Sequence, residues 1–217
     1  MITTLLTRRV AGAAVLVVLI AGCSACDPRP PLQPAPSSTT SPTTTTEAVL
    51  RPATGYPDIP GPRVAVVGDS LVACCVDAWA EEAAVWAYGM TKLPTAVRWL
   101  KSLTPPPDVV VVGQGTNNAR DGWDRADRDA LSATIDAVPG ACVVLVNLGW
   151  SKQAASAYKA GAVAANQDMA SRPGVRVANW RGWSAYSDWF DTDGIHHTAE
   201  GSERYRVVVM DAVDRCP

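Results

Sequence analysis

Val64-Ala65-Val66-Val67-Gly68-Asp69-Ser70 decides how the chain is read. A run of small and β-branched apolar residues closed by Gly-Asp-Ser signals a short buried strand that stops in a turn. In an open parallel sheet, ligands bind just past the carboxyl ends of the strands. A serine placed there, at the start of the next helix, can supply a nucleophilic hydroxyl and an anion-stabilising N–H. A plainer reading is that Asp69 or Ser70 caps a helix.

Outward from this stretch, strand and helix patterns alternate. Arg63–Gly68 is the first strand, followed by a helix from Leu71 to about Ala84. Val85–Tyr88 is the second strand and ends at Gly89. Pro94–Leu103 is a helix with proline in its favoured first turn. Asp108–Val112, with four consecutive valines, suits a central parallel strand buried on both faces. Trp123–Val138 is the next helix, with Leu131, Ile135 and Val138 on one face. Cys142–Asn147 is the fourth strand and Gln153–Ala170 an alanine-rich helix. Val175–Trp180 is the fifth strand. A long loop then leads to a last helix from Thr198 or Ala199 to about Asp214. This alternation predicts an α/β fold, a three-layer α/β/α sandwich with a five-stranded parallel sheet. The flavodoxin-like strand order 2-1-3-4-5 places a crevice between strands 1 and 3.

Residues that act together should therefore follow strands 1 and 3. Ser70 follows the first. Gly113-Gln114-Gly115-Thr116-Asn117-Asn118 follows the third. Glycines there admit a close backbone approach to a ligand, and the Asn117 amide is a neutral donor suited to a developing oxyanion. A surface Asn-Asn turn is the bland alternative. The last loop holds Asp193-Gly194-Ile195-His196-His197-Thr198. Asp193 can accept from His196 Nδ1–H and leave Nε2 to take a proton from serine. Local capping would use the same spacing, and His197 is then the spare imidazole.

Gly68-Asp69-Ser70, Gly115-Thr116-Asn117 and Asp193-Gly194-Ile195-His196, in that order, resemble the SGNH (GDSL) hydrolase family over the whole region from Arg63 onward. The resemblance implies Ser70 as nucleophile, His196 as base and Asp193 as its orienting acid. It implies an oxyanion hole from Asn117 and the N–H of Ser70. The family's further glycine donor maps onto Gly89, in the looser context Trp86-Ala87-Tyr88-Gly89-Met90. The stretches Val111–Asn117, Val146-Asn147-Leu148 and Val177 through Trp189-Phe190 are also similar to the extracytoplasmic SGNH domain of peptidoglycan O-acetyltransferases. A multi-pass acyl-donating domain is lacking here, so transfer from a cytoplasmic donor would need a partner membrane protein.

Residues 1–22 read as a signal peptide. Arg8 and Arg9 precede an apolar run too short to span a bilayer comfortably. The run ends in Ala21-Gly22-Cys23, similar to the lipobox of bacterial lipoproteins, which implies cleavage before Cys23 and its lipidation. An ordinary secretory signal is the alternative. Either way the mature chain is expected outside the cytoplasm, held to a membrane only through its lipid anchor. Residues 23–62, rich in proline, serine and threonine, read as a disordered tether. The domain is then 63–217.

The 217 residues suffice for one domain with appendages. With 19 basic and 21 acidic residues and no basic stripe, nucleic acid is not an expected partner. The two histidines are adjacent, and no C-x-x-C pair occurs beyond Cys23 and Cys26, so no metal and no cofactor are expected. Cys142 opens strand 4 and Cys216 ends the last helix, which brings both to one edge of the sheet as a disulfide pair. Cys74 and Cys75 are adjacent, and at least one should be a buried free thiol. Trp123, Trp150 and Trp189 fall where they could stack on sugar rings of an acylated glycan, or simply pack loops onto the core. Three functions follow: an ester hydrolase acting on acyl, chiefly acetyl, esters; an O-acyltransferase with the same triad; and a non-catalytic glycan-binding lipoprotein.

Overall fold

A computed structural model describes residues 56–217 except Ile59, Ala80, Tyr186 and Ser187. The signal peptide, Cys23 and residues 23–55 of the tether lie outside the described residues. Tyr56 packs against the core, and its hydroxyl donates to the Pro105 carbonyl.

Five parallel strands form one sheet: β1 (Val64–Gly68), β2 (Ala84–Ala87), β3 (Val109–Gly113), β4 (Cys142–Val146) and β5 (Arg176–Ala178). Their order is the expected 2-1-3-4-5. The inner strands are buried on both faces, which explains their unbroken valine runs. Successive residues serve opposite layers. Ala65, Val67, Val110, Val112, Val143 and Leu145 face one core, which also holds Leu93, Leu100, Leu131, Tyr158 and Met169. Val64, Val66, Val109, Val111, Val144 and Val146 face the other, with Trp79, Trp180, Tyr205 and Val209.

The first layer is built from α2 (Leu93–Ser102), α4 (Arg125–Asp136) and α5 (Ser156–Ala170). α4 opens on a capping box in which Asp124 and Asp127 each accept the other's backbone N–H. The second layer is dominated by α7 (Ala199–Val213), capped by Thr198. Cys142 and Cys216 form the expected disulfide, with Cα atoms 5.9 Å apart.

Three local expectations change. The long helix from Leu71 is instead α1 (Ser70–Ala73), a turn at Cys74 and Cys75, and a 3₁₀ turn over Val76–Trp79. Val72, Cys74, Cys75 and Val76 are weak helix formers, and tighter bonds such as Cys75 N–H to Val72 C=O replace the α pattern. This lets Trp79 enter the core edge-on to Tyr205. Two short helices were missed: α3 (Thr116–Arg120), directly after β3, and α6 (Trp180–Ser184), capped by the Asn179 side chain, which cuts β5 to three residues.

Gly161 sets how closely α5 lies on α3. A Cβ there would sit 2.0 Å from the Ala119 carbonyl oxygen. Alanine would gain up to about 1 kcal/mol of helix propensity. The clash is with backbone, which cannot rotate away, and overpacking of this kind costs about 1–3 kcal/mol. Gly161→Ala is therefore expected to lower stability in urea unfolding despite its better propensity.

Candidate active site

Gly68 of β1 and Gly113 of β3 are in register, so both strands end at the same level and their turns start side by side. Asp69 fills the space between them and is fully buried. One carboxylate oxygen accepts the Leu71 N–H at 3.1 Å and so caps α1. The other accepts the Thr116 N–H at 3.2 Å, at the start of α3. Burial pushes the Asp69 carboxyl up to about 6, against the opposing pull of these two N–H donors. Its role is to brace; Ser70, the next residue, opens α1 with its hydroxyl outward.

The last loop is closed at its base by an antiparallel bridge between Phe190 and His197. The Asp191 N–H donates to the His196 carbonyl at 2.7 Å. Gly194 sits at φ 73°, and a Cβ there would strike the backbone nitrogen of Ala154 at 2.4 Å, so only glycine fits. This turn folds Asp193 back over the loop. One of its carboxylate oxygens accepts the Ile195 and His196 N–H groups at 2.8 and 2.9 Å, and the other meets His196 Nδ1 at 2.5 Å. Partial burial would raise the Asp193 carboxyl, but the bonds from His196 and the two backbone N–H groups outweigh it and hold it below the usual range. His196 Nε2 lies 3.0 Å from Ser70 Oγ. With the proton on Nδ1, Nε2 accepts from the serine hydroxyl.

His197 points away into the core, against Trp180, Phe190 and Tyr205. Burial, with His196 adding to it, pushes its imidazole down to about 3, so it stays neutral. Of the two histidines, His196 is the one at the serine.

Ser70, Asp193 and His196 share a cavity of about 300 Å³ with Gly89, Met90, Asn117, Arg120 and Tyr158. Asn117 Nδ2 donates to the Thr91 carbonyl at 3.1 Å. Thr91 is itself held by the buried Gln114, whose Nε2 donates to the Thr91 hydroxyl at 2.9 Å. The loop after β2 is thus tied to the turn after β3, which brings Gly89 to the cavity. Met90, at φ 63°, takes a left-handed conformation that is unfavourable for any side chain but glycine. It stands exposed on the rim. Arg120 also lines the cavity; its Nε pairs with Asp121 at 3.9 Å, and Lys92 holds the same carboxylate at 2.7 Å.

No family model and no curated protein matches the chain. Solved structures do. The catalytic C-terminal domain of peptidoglycan O-acetyltransferase A from Streptococcus pneumoniae, with a methylsulfonyl adduct, superposes with a TM-score of 0.57 at 18% identity, over 75% of this chain and 96% of that one. A putative acylhydrolase from Bacteroides fragilis gives 0.58 at 16% identity, over 74% and 90%. A carbohydrate esterase of family 3 from Talaromyces cellulolyticus gives 0.54 at 14%, over 70% and 96%. The fold is that of the SGNH (GDSL) hydrolases.

Within this SGNH fold, Ser70, Asn117, Gly89, Asp193 and His196 converge on one cavity. The three tryptophans singled out as sugar platforms do not line it. Trp123 is buried in the core, and its Nε1–H donates to Asp168 at 3.2 Å. Trp150 is covered by the Arg181 guanidinium, 3.6 Å from its ring centroid. Trp189 stacks on Trp180 at 5.8 Å and faces a separate groove of about 350 Å³ beside α7, with Trp183 and Arg204. Sequence position put them on loops, but aromatic area drew them against other groups. Thr91, Met90, Arg120 and Tyr158 were missed. None belongs to a motif, and Gln114 signalled only as a polar residue inside a buried turn.

The Asp69 brace has a pH signature. A carboxyl raised from 3.8 to about 6 on folding stabilises the protein fully below pH about 4, and that contribution is lost as pH rises through about 6. The span is on the order of 3 kcal/mol. Asp69→Asn turns an amide NH₂ towards a backbone N–H, which costs about 1–3 kcal/mol. Urea unfolding from pH 4 to 8 should show wild type well above the variant at pH 4, with the gap narrowing between pH 4 and about 6 and level above that.

Proposed function

We propose that this chain is a serine ester hydrolase that cleaves acyl esters through an acyl-enzyme. The observation that carries the reading is the unbroken hydrogen-bonded chain from Asp193 to His196 to Ser70 at the mouth of an SGNH fold. Ser70 Oγ attacks the ester carbonyl while its proton passes to His196 Nε2. Asp193 keeps the proton on Nδ1 and stabilises the imidazolium. Asn117 Nδ2 spends one hydrogen on Thr91 and has a second for the oxyanion. The Ser70 and Gly89 N–H groups complete the hole. His196 then gives its proton to the leaving alcohol, and water repeats the sequence to release the acid.

The natural ester on this reading is a small acyl group, acetyl foremost, on cell-envelope carbohydrate. The small cavity, about 300 Å³, and the likeness to a peptidoglycan O-acetyltransferase domain and a carbohydrate esterase support it. That first likeness also supports the second reading, in which a sugar hydroxyl replaces water as acyl acceptor. The Ala21-Gly22-Cys23 run and the Cys142–Cys216 disulfide support an anchored protein outside the cytoplasm.

Turnover of an aryl acetate tests the hydrolase. Ser70→Ala should lose about 10⁶-fold in turnover, and Asn117→Ala about 10²–10³-fold. His196→Ala should fall close to Ser70→Ala, while folded His197→Ala keeps most of its activity. A phosphonate or sulfonyl fluoride should label Ser70 alone. Labelling elsewhere, or no turnover by a folded protein, returns the chain to a non-catalytic binding role. Acetyl capture by added glycan in place of acetate release would make transfer the main reaction.

A further inference from the structure

Cys74 and Cys75 lie just past α1, one turn after Ser70, and their sulfurs are 2.7 Å apart. Neighbouring side chains on a regular helix diverge and cannot meet. Here α1 stops at Ala73, and the Cys75 N–H turns back to the Val72 carbonyl at 3.2 Å, which swings both thiols together. A sulfur pair this close is nearer to bonding than to ordinary contact, given about 2.05 Å for a disulfide. Cys74 is exposed to solvent, so an oxidant can reach the pair. The Cys142–Cys216 bridge shows that the chain is built to carry disulfides.

We propose that Cys74 and Cys75 bond to each other as a vicinal disulfide, a reversible redox clasp on the segment that carries Ser70. The oxidant is a disulfide, on a protein or a small thiol. The thiolate of one of the two cysteines attacks it, forming a mixed disulfide and releasing one thiol. The other cysteine then attacks that Sγ, the Cys74–Cys75 bond forms, and the second thiol leaves. The two thiol protons and two electrons end on the reduced oxidant. Partial burial and the Cys75 thiol push the Cys74 thiol up.

The clasp touches the site through backbone. The Cys74 N–H donates to the Ser70 carbonyl at 3.1 Å, and the Cys74 thiol contacts the Leu71 carbonyl and, at 3.7 Å, Ser202 of α7. Closing the ring removes the thiol hydrogen that bonds Leu71. Ordinary bridges join Cα atoms about 4.4–6.8 Å apart, while adjacent Cα atoms are held at about 3.8 Å, so this bond belongs to the readily reduced class.

The exported full chain is denatured in excess iodoacetamide without reductant, digested with trypsin and weighed. The peptide Val64–Lys92 holds both residues and no other cysteine. It should appear unalkylated and lighter by two hydrogens, and Cys75→Ser should free Cys74 for alkylation. Graded reductant should open this pair before Cys142–Cys216. Double alkylation of the untreated peptide, its linkage to the Cys26 peptide, or earlier opening of Cys142–Cys216 overturns the proposal. The readout is mass, so it stands apart from any failure of ester turnover.

Discussion

The two oxygens of the buried Asp69 carboxylate accept from backbone N–H groups of Leu71 and Thr116, and the second of these bonds spans 47 residues of sequence. It joins the turn after β1 to the turn after β3. It adds to the β1–β3 pairing, and to the Asp69 N–H that donates to the Gly113 carbonyl at 3.3 Å, in fixing the first residue of α1 against the start of α3. Ser70 and Asn117 depend on that separation. On the proposed function both are oxyanion donors, which work only when already aimed at where charge will develop, so bracing the backbone matters as much as supplying the side chains. The brace holds a carboxyl in a dry place, and the rise of its pKa to about 6 is the sign of that cost.

The third contribution arrives from the far end of the chain. The loop before α7 carries Asp193 and His196 and is shaped by its own bonds, with Gly194 at its tightest point. Its two adjacent histidines meet opposite fates. His196 faces the cavity and is bonded at both nitrogens, while His197 is packed among aromatic rings, with no hydrogen-bond partner for either nitrogen among the described residues. A neutral imidazole in that nest serves packing. The Gln114–Thr91–Asn117 relay does similar work on the other rim.

Much of this was legible beforehand because it is written locally. Four valines in a row need burial on both faces, so the central strand and the parallel sheet could be read directly. Gly-Asp-Ser, Gly-Thr-Asn and Asp-Gly-Ile-His each encode a turn that aims one side chain, and the strand order brings the three turns together. The breakdown of the helix after Ser70 was not legible. Weak helix formers there leave the outcome to the burial of Trp79, a tertiary matter. The tryptophans misled for the same reason, since an indole is buried or exposed according to which neighbour reaches it.

The sequence by itself determined the alternation of strands and helices, because periodicity acts over a few residues; the expected strand order and the Cys142–Cys216 pair followed from that alternation, and the choice of Ser70, Asn117, Asp193 and His196 from motifs that resemble the SGNH hydrolases. Tertiary structure alone decided what buries His197, what holds Asn117, that Met90 and Arg120 form the rim, and that Cys74 and Cys75 touch. Those outcomes depend on distances between segments far apart in the chain, and such distances exist only once both cores have closed on the sheet.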